Sequence, residues 1–181
     1  MEYISPIGAL RIEASERGLK AIKFQSQEQA FGEPAQEVPE NENTRKCIAL
    51  CVSTLNSYFA KQWGIFNQLR SKIPFDLEGT AFQKKVWGII YSLPNTYPIM
   101  GISYSELAIL SGRPKAVRTC ASICGQNLIP IIIPCHRIIA SNGKLGGYAG
   151  GIPRKSWLLW HEGIMAKGSN IFLHQQPPQA R

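Results

Sequence analysis

The first part of the chain alternates between apolar and polar residues over short distances, from Tyr3 to Phe24. Leu10, Ile12 and Ala14 are each separated by one polar residue, which is the spacing of a strand with one buried face. Proline or glycine interrupts this pattern at three places: Pro6, Gly8 and Gly18. We therefore predict short strands joined by tight turns in a small antiparallel sheet.

A spacing of three and four residues replaces the alternation between Thr44 and Ala60. The apolar residues that follow this spacing are Cys47, Leu50, Cys51, Leu55, Tyr58 and Phe59. The pattern predicts an amphipathic helix that covers the sheet. The polar residues 26–43 predict a loop before this helix, and residues 73–79 predict an extended linker after the first domain.

The second half of the chain begins with a helix predicted over residues 81–91, with Thr80 as its cap and Pro94 as its stop. Its apolar face consists of Phe82, Val86, Trp87, Ile89 and Ile90.

Two short helices joined by a turn are predicted next. Ser103 caps a helix that runs through Leu110, residues 111–114 form the turn, and residues 115–124 form the second helix. This arrangement is typical of a helix-turn-helix DNA reader, with basic residues on its second helix. An ordinary helical hairpin in a protein core is the alternative, and the pattern alone favours that alternative.

A β-branched run leads to the segment Pro134-Cys135-His136-Arg137. The run predicts a buried strand whose pairing ends at Pro134, which would present the Cys135 thiol at the end of a packed element. A cysteine beside basic groups gains thiolate character, and the thiolate is the nucleophile. Adjacent residues of a strand point to opposite faces, so His136 reaches Cys135 only if the backbone turns or a water bridges them.

The five cysteines are an odd number in a chain of 181 residues without an export signal. We therefore expect reduced thiols and a cytoplasmic protein, and no apolar run reaches the roughly 18 residues of a membrane span. Two pairs of cysteines have the spacing i,i+4: Cys47 with Cys51, and Cys120 with Cys124. This spacing is compatible with a metal site of four thiolates or with simple packing in the core. Core packing is the favoured interpretation, and no metal is expected.

The formal net charge of +8 is unevenly distributed along the chain. Residues 1–43 hold eight of the twelve acidic residues, whereas the other residues carry 16 basic and four acidic side chains. Such a basic part suits a phosphate backbone, although solubility explains the excess about as well.

Three segments together closely resemble the O6-alkylguanine-DNA alkyltransferases: Pro134-Cys135-His136-Arg137, Gly146-Gly147-Tyr148-Ala149-Gly150-Gly151 and Trp157-Leu158-Leu159-Trp160-His161-Glu162-Gly163. The resemblance extends from about residue 79 to residue 163, through Gly79-Thr80-Ala81-Phe82-Gln83, Ser103-Tyr104-Ser105-Glu106-Leu107-Ala108 and Arg113-Pro114-Lys115-Ala116-Val117-Arg118. A weaker signal covers Ser5 to Leu19.

The resemblance implies an α+β protein of two domains. Residues 1–74 would form a small antiparallel sheet with helices, similar to ribonuclease H. Residues 75–165 would form a mostly helical, winged helix-turn-helix-like domain that binds DNA and accepts the alkyl group. Residues 166–181 are predicted to be a disordered tail from their Gln, Pro and Gly content.

The activity implied by the resemblance is repair of O6-alkylguanine in double-stranded DNA by irreversible alkyl transfer to Cys135. The damaged base is flipped out first, because the reacting carbon cannot be reached within the stack. His136 would be the water-linked base and Glu162 the carboxylate that orients it. Tyr104 would donate a proton to the leaving guanine, and Asn127 would tie the reader helices to the Cys135 segment. No cofactor is implied, and the protein would be a monomer, with cooperativity along DNA left open.

The resemblance also implies the DNA contacts. Arg118 matches an arginine finger that fills the gap left by the flipped base, and Tyr104 matches the residue that crowds the 3′ phosphate. Further DNA contacts are assigned to five residues: Gln83, Ser105, Arg113, Lys115 and Ser141. The pocket for the alkylated base is assigned to three: Tyr148, Ala149 and Gly150.

Several departures from the family pattern bear on these assignments. Residues 93–101 form a loop about three residues longer than usual, Leu128 replaces a common proline, and Ala149 stands where some relatives have serine. Residues 1–46 contain neither cysteine nor histidine, so the zinc ligands of some vertebrate relatives are missing.

Three rival interpretations use the same residues. A non-repairing alkyltransferase-like protein would lack the acceptor cysteine. A cysteine hydrolase would need an oxyanion hole that no motif indicates, and a transcription regulator would have no need of Cys135.

Overall fold

The computed structural model describes residues 1–25, 41–94 and 101–164, which divide into two compact units. The first unit spans Met1–Glu78 and the second begins at Gly79. The predicted loop over 26–43, the longer loop over 93–101 and the predicted tail lie wholly or largely outside the described residues. The first unit extends past the predicted boundary at residue 74, because Leu19 donates a backbone hydrogen bond to Pro74 and accepts one from Asp76.

The first unit is built on the predicted antiparallel sheet, which is confirmed. Its strands are β1 (Glu2–Ser5), β2 (Gly8–Ser15) and β3 (Gly18–Phe24), in the order β1-β2-β3. Ile12 pairs with Ile22 across the central ladder, and both side chains are buried. Alternation therefore gives the sheet one apolar face, as the sequence pattern requires.

Two helices pack with the sheet of the first unit. Helix α1 (Glu42–Phe59) covers β2 and β3, and the Asn41 side chain caps it by accepting from two backbone amides. Helix α2 (Trp63–Arg70), which the periodicity did not predict, packs against α1. Lys61, with φ of 56°, makes the sharp turn between them.

The second unit contains helices α3 (Ala81–Ser92), α4 (Tyr104–Leu110), α5 (Val117–Gly125) and α6 (Ile152–His161). The predicted caps are present: Thr80 and Ser103 each form a capping box with the residue three positions on, Gln83 and Glu106 respectively. Helix α5 begins two residues later than predicted.

Helices α3, α4 and α5 pack against one another around a shared core. The buried Trp87 of α3 donates its indole N–H to the carbonyl of Ile123 on α5, at 3.0 Å. Gly112, with φ of 77°, allows the turn between α4 and α5. The turn therefore holds α5 in a fixed orientation against α4.

Replacement of Gly18 by alanine tests the backbone pairing at the start of β3. Gly18 has a φ of 146°, and a Cβ there would collide with the carbonyl group of Pro74 and lie 2.9 Å from the nitrogen of Phe75. We expect Gly18→Ala to lower the free energy of unfolding by about 2 kcal/mol. Urea unfolding followed by circular dichroism measures the change.

Gly64→Ala in α2 is the matched control, because nothing lies within 4 Å of a Cβ at that position. This variant should be unchanged or more stable by up to about 1 kcal/mol. Equal stability of the two variants would contradict the close approach of Gly18 and Pro74.

Candidate functional site

The segment that carries Cys135 is a buried turn followed by a 3₁₀ helix, Cys135–Arg137. The strand predicted from the β-branched run that ends at Pro134 is therefore wrong, although its predicted burial is correct. Ile133 donates its backbone N–H to Ile129, and Ile131 adopts a φ of 73°, so the chain doubles back within five residues. A strand is prevented because Pro130 and Pro134 have no amide hydrogen to donate to a ladder.

The Asn127 side chain holds this turn together and contacts the thiol. Its Oδ1 accepts from the N–H of Ile129, and its Nδ2 donates to the carbonyl of Ile133 at 2.8 Å. The same Nδ2 lies 3.0 Å from Cys135 Sγ. Burial raises the pKa of the Cys135 thiol to about 11, and the Asn127 amide opposes that rise. Asn127 therefore positions the thiol and stabilises its anion.

Glu162, at the end of α6, binds both residues that follow Cys135. Its Oε1 lies 2.9 Å from His136 Nε2, and its two oxygens accept from Nε and Nη2 of Arg137 at 2.7 and 2.9 Å. All three side chains are buried. Burial would raise the pKa of Glu162, but the neighbouring His136 and Arg137 outweigh it and hold the pKa well below its usual range.

The second nitrogen of His136, Nδ1, has no hydrogen-bond partner among the described residues. The imidazole therefore does not bind the thiol of Cys135 directly. Burial lowers the pKa of His136, Glu162 raises it, and Arg137 lowers it again, with a net decrease. A neutral ring that donates through Nε2 to Glu162 leaves Nδ1 as a hydrogen-bond acceptor.

Two short parallel strands bring Tyr104 close to the segment that carries Cys135. Strand β4 (Ile102–Ser103) pairs with β5 (Ile138–Ile139), which directly follows the 3₁₀ helix. The Tyr104 hydroxyl lies 3.5 Å from the carbonyl of Gly147, and a Cβ on Gly146 would lie 2.9 Å from its ring. Burial raises the pKa of Tyr104 to about 12, so its hydroxyl keeps its proton.

The residues predicted to form the pocket for the alkylated base are Tyr148, Ala149 and Gly150. The Tyr148 ring stands nearly perpendicular to the His136 ring, with centroids 6.4 Å apart. Gly150 is buried and Ala149 is exposed. The three predicted pocket residues thus follow directly on the glycines that Tyr104 contacts.

Sequence reasoning missed Lys155, a fully buried lysine on α6. Its Nζ donates to the carbonyls of Ile138, Leu145 and Gly147, and it lies 5.7 Å from the centre of the Tyr104 ring. Lys155 thereby joins β5 to the loop beside Tyr104. Its spacing of seven residues from Glu162 places both on one helix face, which is a signal that could have found it.

The predicted DNA-contacting residues lie on the helix pair and its surroundings. Three basic residues are exposed around the start of α5: Arg113, Lys115 and Arg118. The Arg113 guanidinium stacks over the Phe82 ring at 4.3 Å, and Ser141 is also exposed. Gln83 and Ser105 are half-buried; Gln83 forms its capping box and also donates to Gln126, while the Ser105 hydroxyl lies 3.1 Å from that of Ser103.

Within the described ranges, no group of three or more His, Cys, Asp or Glu side chains is placed to hold a metal ion. All five cysteines are free and buried. No described helix combines the length and apolar character needed to cross a membrane.

Two family models match nearly all of the described chain. The 6-O-methylguanine DNA methyltransferase ribonuclease-like domain matches residues 2–73, and the DNA-binding domain of the same family matches residues 81–164. A methylated-DNA–protein-cysteine methyltransferase of Methanosarcina acetivorans is 36% identical over 161 residues, which cover 89% of this chain and 96% of that protein. The chain belongs to the 6-O-methylguanine DNA methyltransferase family.

Two further comparisons agree with this membership. The methylated-DNA–protein-cysteine methyltransferase of Shigella flexneri is 41% identical over 111 residues, but the alignment spans only 61% of each chain. The crystal structure of Mycobacterium tuberculosis OGT in complex with DNA matches with a TM-score of 0.67 and 32% identity, over 89% of this chain and 90% of that one. The resemblance to the O6-alkylguanine-DNA alkyltransferases and the predicted α+β fold are thereby confirmed.

Removal of the Asn127 amide tests how this methyltransferase-family site stabilises its thiolate. Asn127→Ala removes the donor to Cys135 Sγ, so the pKa of the thiol should rise further. We expect the rate of Cys135 alkylation by a small electrophile, followed by mass spectrometry at about pH 8, to fall about tenfold.

Asn142→Ala is the control, because Asn142 is exposed and its side chain accepts only from the nearby Lys144 amide among the described contacts. It should leave the alkylation rate unchanged. A folded Asn127→Ala protein with wild-type reactivity would show that the amide does not stabilise the anion.

Proposed function

We propose that this protein repairs O6-alkylguanine in double-stranded DNA by transferring the alkyl group to Cys135. The observation that carries the proposal is the buried thiol held by Asn127 beside the His136–Glu162–Arg137 group. In the reaction the bond between O6 and the alkyl carbon breaks and a bond between Sγ and that carbon forms. The product thioether does not revert, so each molecule reacts once. Transfer to O4-alkylthymine would follow the same chemistry.

The thiol proton passes to His136 before or during the transfer. Nδ1 is the acceptor, and a water molecule between Nδ1 and Sγ completes the path, since buried polar atoms in proteins take a partner from protein or water. Glu162 fixes the ring orientation and stabilises the imidazolium that forms. The three residues then act as nucleophile, base and orienting carboxylate.

Tyr104 donates a proton to the guanine as it leaves. Its hydroxyl is protonated at neutral pH and lies against the glycine loop that precedes Tyr148. Guanine departs as an anion unless a donor stabilises it, so a phenol at this position lowers the barrier to departure. Tyr148, Ala149 and Gly150 would then hold the flipped base.

The helix pair α4 and α5 would bind the duplex. The family's DNA-binding domain covers both helices, and the M. tuberculosis relative was crystallised with DNA. Arg118 is exposed on α5 and has no hydrogen-bond or ion-pair partner among the described residues, so its guanidinium is available to enter the stack. Further contacts with the DNA would come from Gln83, Ser105, Arg113, Lys115 and Ser141.

The protein needs no cofactor for this reaction and acts as a monomer, since one chain carries all of the proposed groups. DNA would be its partner, and its action would take place in the cytoplasm.

A labelling experiment tests the proposed transfer. Incubation with duplex DNA carrying radiolabelled O6-methylguanine should place one equivalent of label on Cys135, located by peptide mapping. Cys124→Ser is the control for a buried thiol outside the reaction and should still accept one equivalent. Turnover beyond one equivalent, or a wild-type protein without label on Cys135, would exclude the proposal.

Arg118→Ala tests the flipping step separately from the chemistry. Loss of the side chain that fills the vacated stack should slow repair in duplex DNA at least about tenfold, because unstacking a base costs a few kcal/mol. Reaction with free O6-benzylguanine should remain at the wild-type rate. Arg45→Ala removes the same charge from an exposed position of the first unit and should affect neither substrate. Equal losses on both substrates would argue against a flipping role.

A further inference from the structure

A fully buried ion pair lies in the core of the second unit, between Arg137 and Glu162. Both side chains are completely shielded from solvent. The guanidinium donates to both carboxylate oxygens, and the oxygen that it shares with His136 is Oε1. The imidazole and the guanidinium therefore compete for the same negative charge.

A guanidinium group carries its positive charge permanently, whereas an imidazole is charged only when it has taken up a second proton. With Arg137 present, the buried carboxylate is neutralised without any proton on His136. Without Arg137, the His136–Glu162 pair would have to take up a proton to avoid a lone buried charge.

The position of Arg137 does not depend on Glu162 alone. Its Nη1 also donates to the carbonyl of Pro94, at the end of α3, at 3.2 Å. Its own carbonyl lies so close to Gly101 that a Cβ there would be 2.9 Å away. The backbone thus fixes the guanidinium, and the guanidinium fixes the plane of the carboxylate.

We propose that Arg137 is a positioning residue that keeps Glu162 charged and His136 uncharged in the resting protein. The inference rests on the proposed function, in which His136 Nδ1 accepts the thiol proton. Only a neutral ring, with no proton on Nδ1, can accept that proton. Arg137 therefore keeps His136 able to act as a base down to lower pH. Its effect on the reaction passes through Glu162 and His136.

Charged or titratable side chains face His136 from each neighbouring element. Those that matter for its protonation are Lys155 and Glu162 from α6, Tyr148 from the glycine loop, and Cys135 and Arg137 from the 3₁₀ helix. Lys155, like Arg137, is a positive charge that disfavours a proton on His136, but its Nζ is bound to backbone carbonyls. Arg137 is the cation that shares the oxygen with His136.

Arg137→Met tests the proposal by direct titration. Nuclear magnetic resonance of protein with labelled histidine follows each of the three rings of the chain: His136, His161 and His174. We expect the proton affinity of the His136–Glu162 pair to rise at least about tenfold, because a repelling charge has been removed. The acid limb of the rate profile with O6-benzylguanine, normalised to its high-pH plateau, should move to higher pH with it.

Arg45→Met serves as the matched control, because it removes an exposed arginine from the first unit. It should leave the titration of His136 and the rate profile at their wild-type positions. A role of Arg137 in folding alone would reduce the folded fraction but would not move either midpoint.

Arg137→Met leaves Glu162 as a buried carboxylate without its arginine, so this variant could fail to fold. A second pair of variants makes the test independent of that outcome. Glu162→Gln is compared with the double variant Glu162→Gln/Arg137→Met, where both charges are gone. Loss of the guanidinium should again raise the proton affinity of His136. An unchanged His136 titration in either folded pair overturns the proposal. Because the titration needs no alkyl transfer, it gives a result even if Cys135 proves not to be the acceptor.

Discussion

The second unit depends on the burial of one carboxylate, Glu162, between an arginine and a histidine. A charge in this position is tolerated only if it is paired and hydrogen-bonded, and Glu162 achieves both through its contacts with Arg137 and His136. These contacts attach the end of α6 to the 3₁₀ helix, and Arg137 extends the attachment to Pro94 at the end of α3. The residues that would do the chemistry are therefore also those that hold the elements in place. A change to one of them alters stability and reactivity together.

The Asn127 side chain likewise both stabilises the local fold and contacts the thiol. Its amide closes the turn around Ile129 and Ile133, and the same nitrogen contacts Cys135 Sγ. The turn brings the thiol to the position where the amide can stabilise its anion. Burial alone would hold the pKa of Cys135 far above neutrality, so the thiolate needs donors that are in place before the reaction. The proposed reactivity of Cys135 would come from local hydrogen bonding, because the thiol itself is almost fully buried.

Local signals predicted local structure well. The caps Thr80 and Ser103 were readable because a capping box needs only residues three positions apart, and the strands were readable from alternation. The strand predicted before Pro134 is wrong because Pro130 and Pro134 have no amide hydrogen to donate to a ladder, and the Asn127 side chain binds the N–H of Ile129. The prediction followed the β-branched composition, which does not show where the Asn127 side chain binds. Cys135, His136 and Glu162 came from family motifs. The pairing of Arg137 with Glu162 depends on a contact between distant segments, so no periodicity indicated it. The helical spacing of Lys155 from Glu162 was a signal, but the prediction did not use it.

The chain has five buried thiols, and the physical differences between them explain why one is suited to reaction. Burial raises the pKa of Cys51 to about 12 and raises that of Cys124 still further, and no histidine is hydrogen-bonded to either one in the described chain. Cys135 is buried as deeply, yet it alone combines a side-chain amide donor with an adjacent buried imidazole. Burial thus disfavours the thiolate at Cys51, Cys124 and Cys135, and the Asn127 amide offsets part of that effect at Cys135. The proposed selectivity for Cys135 would follow from the positions of the Asn127 amide and the His136 ring, since the exposed fraction is nearly the same for all five thiols.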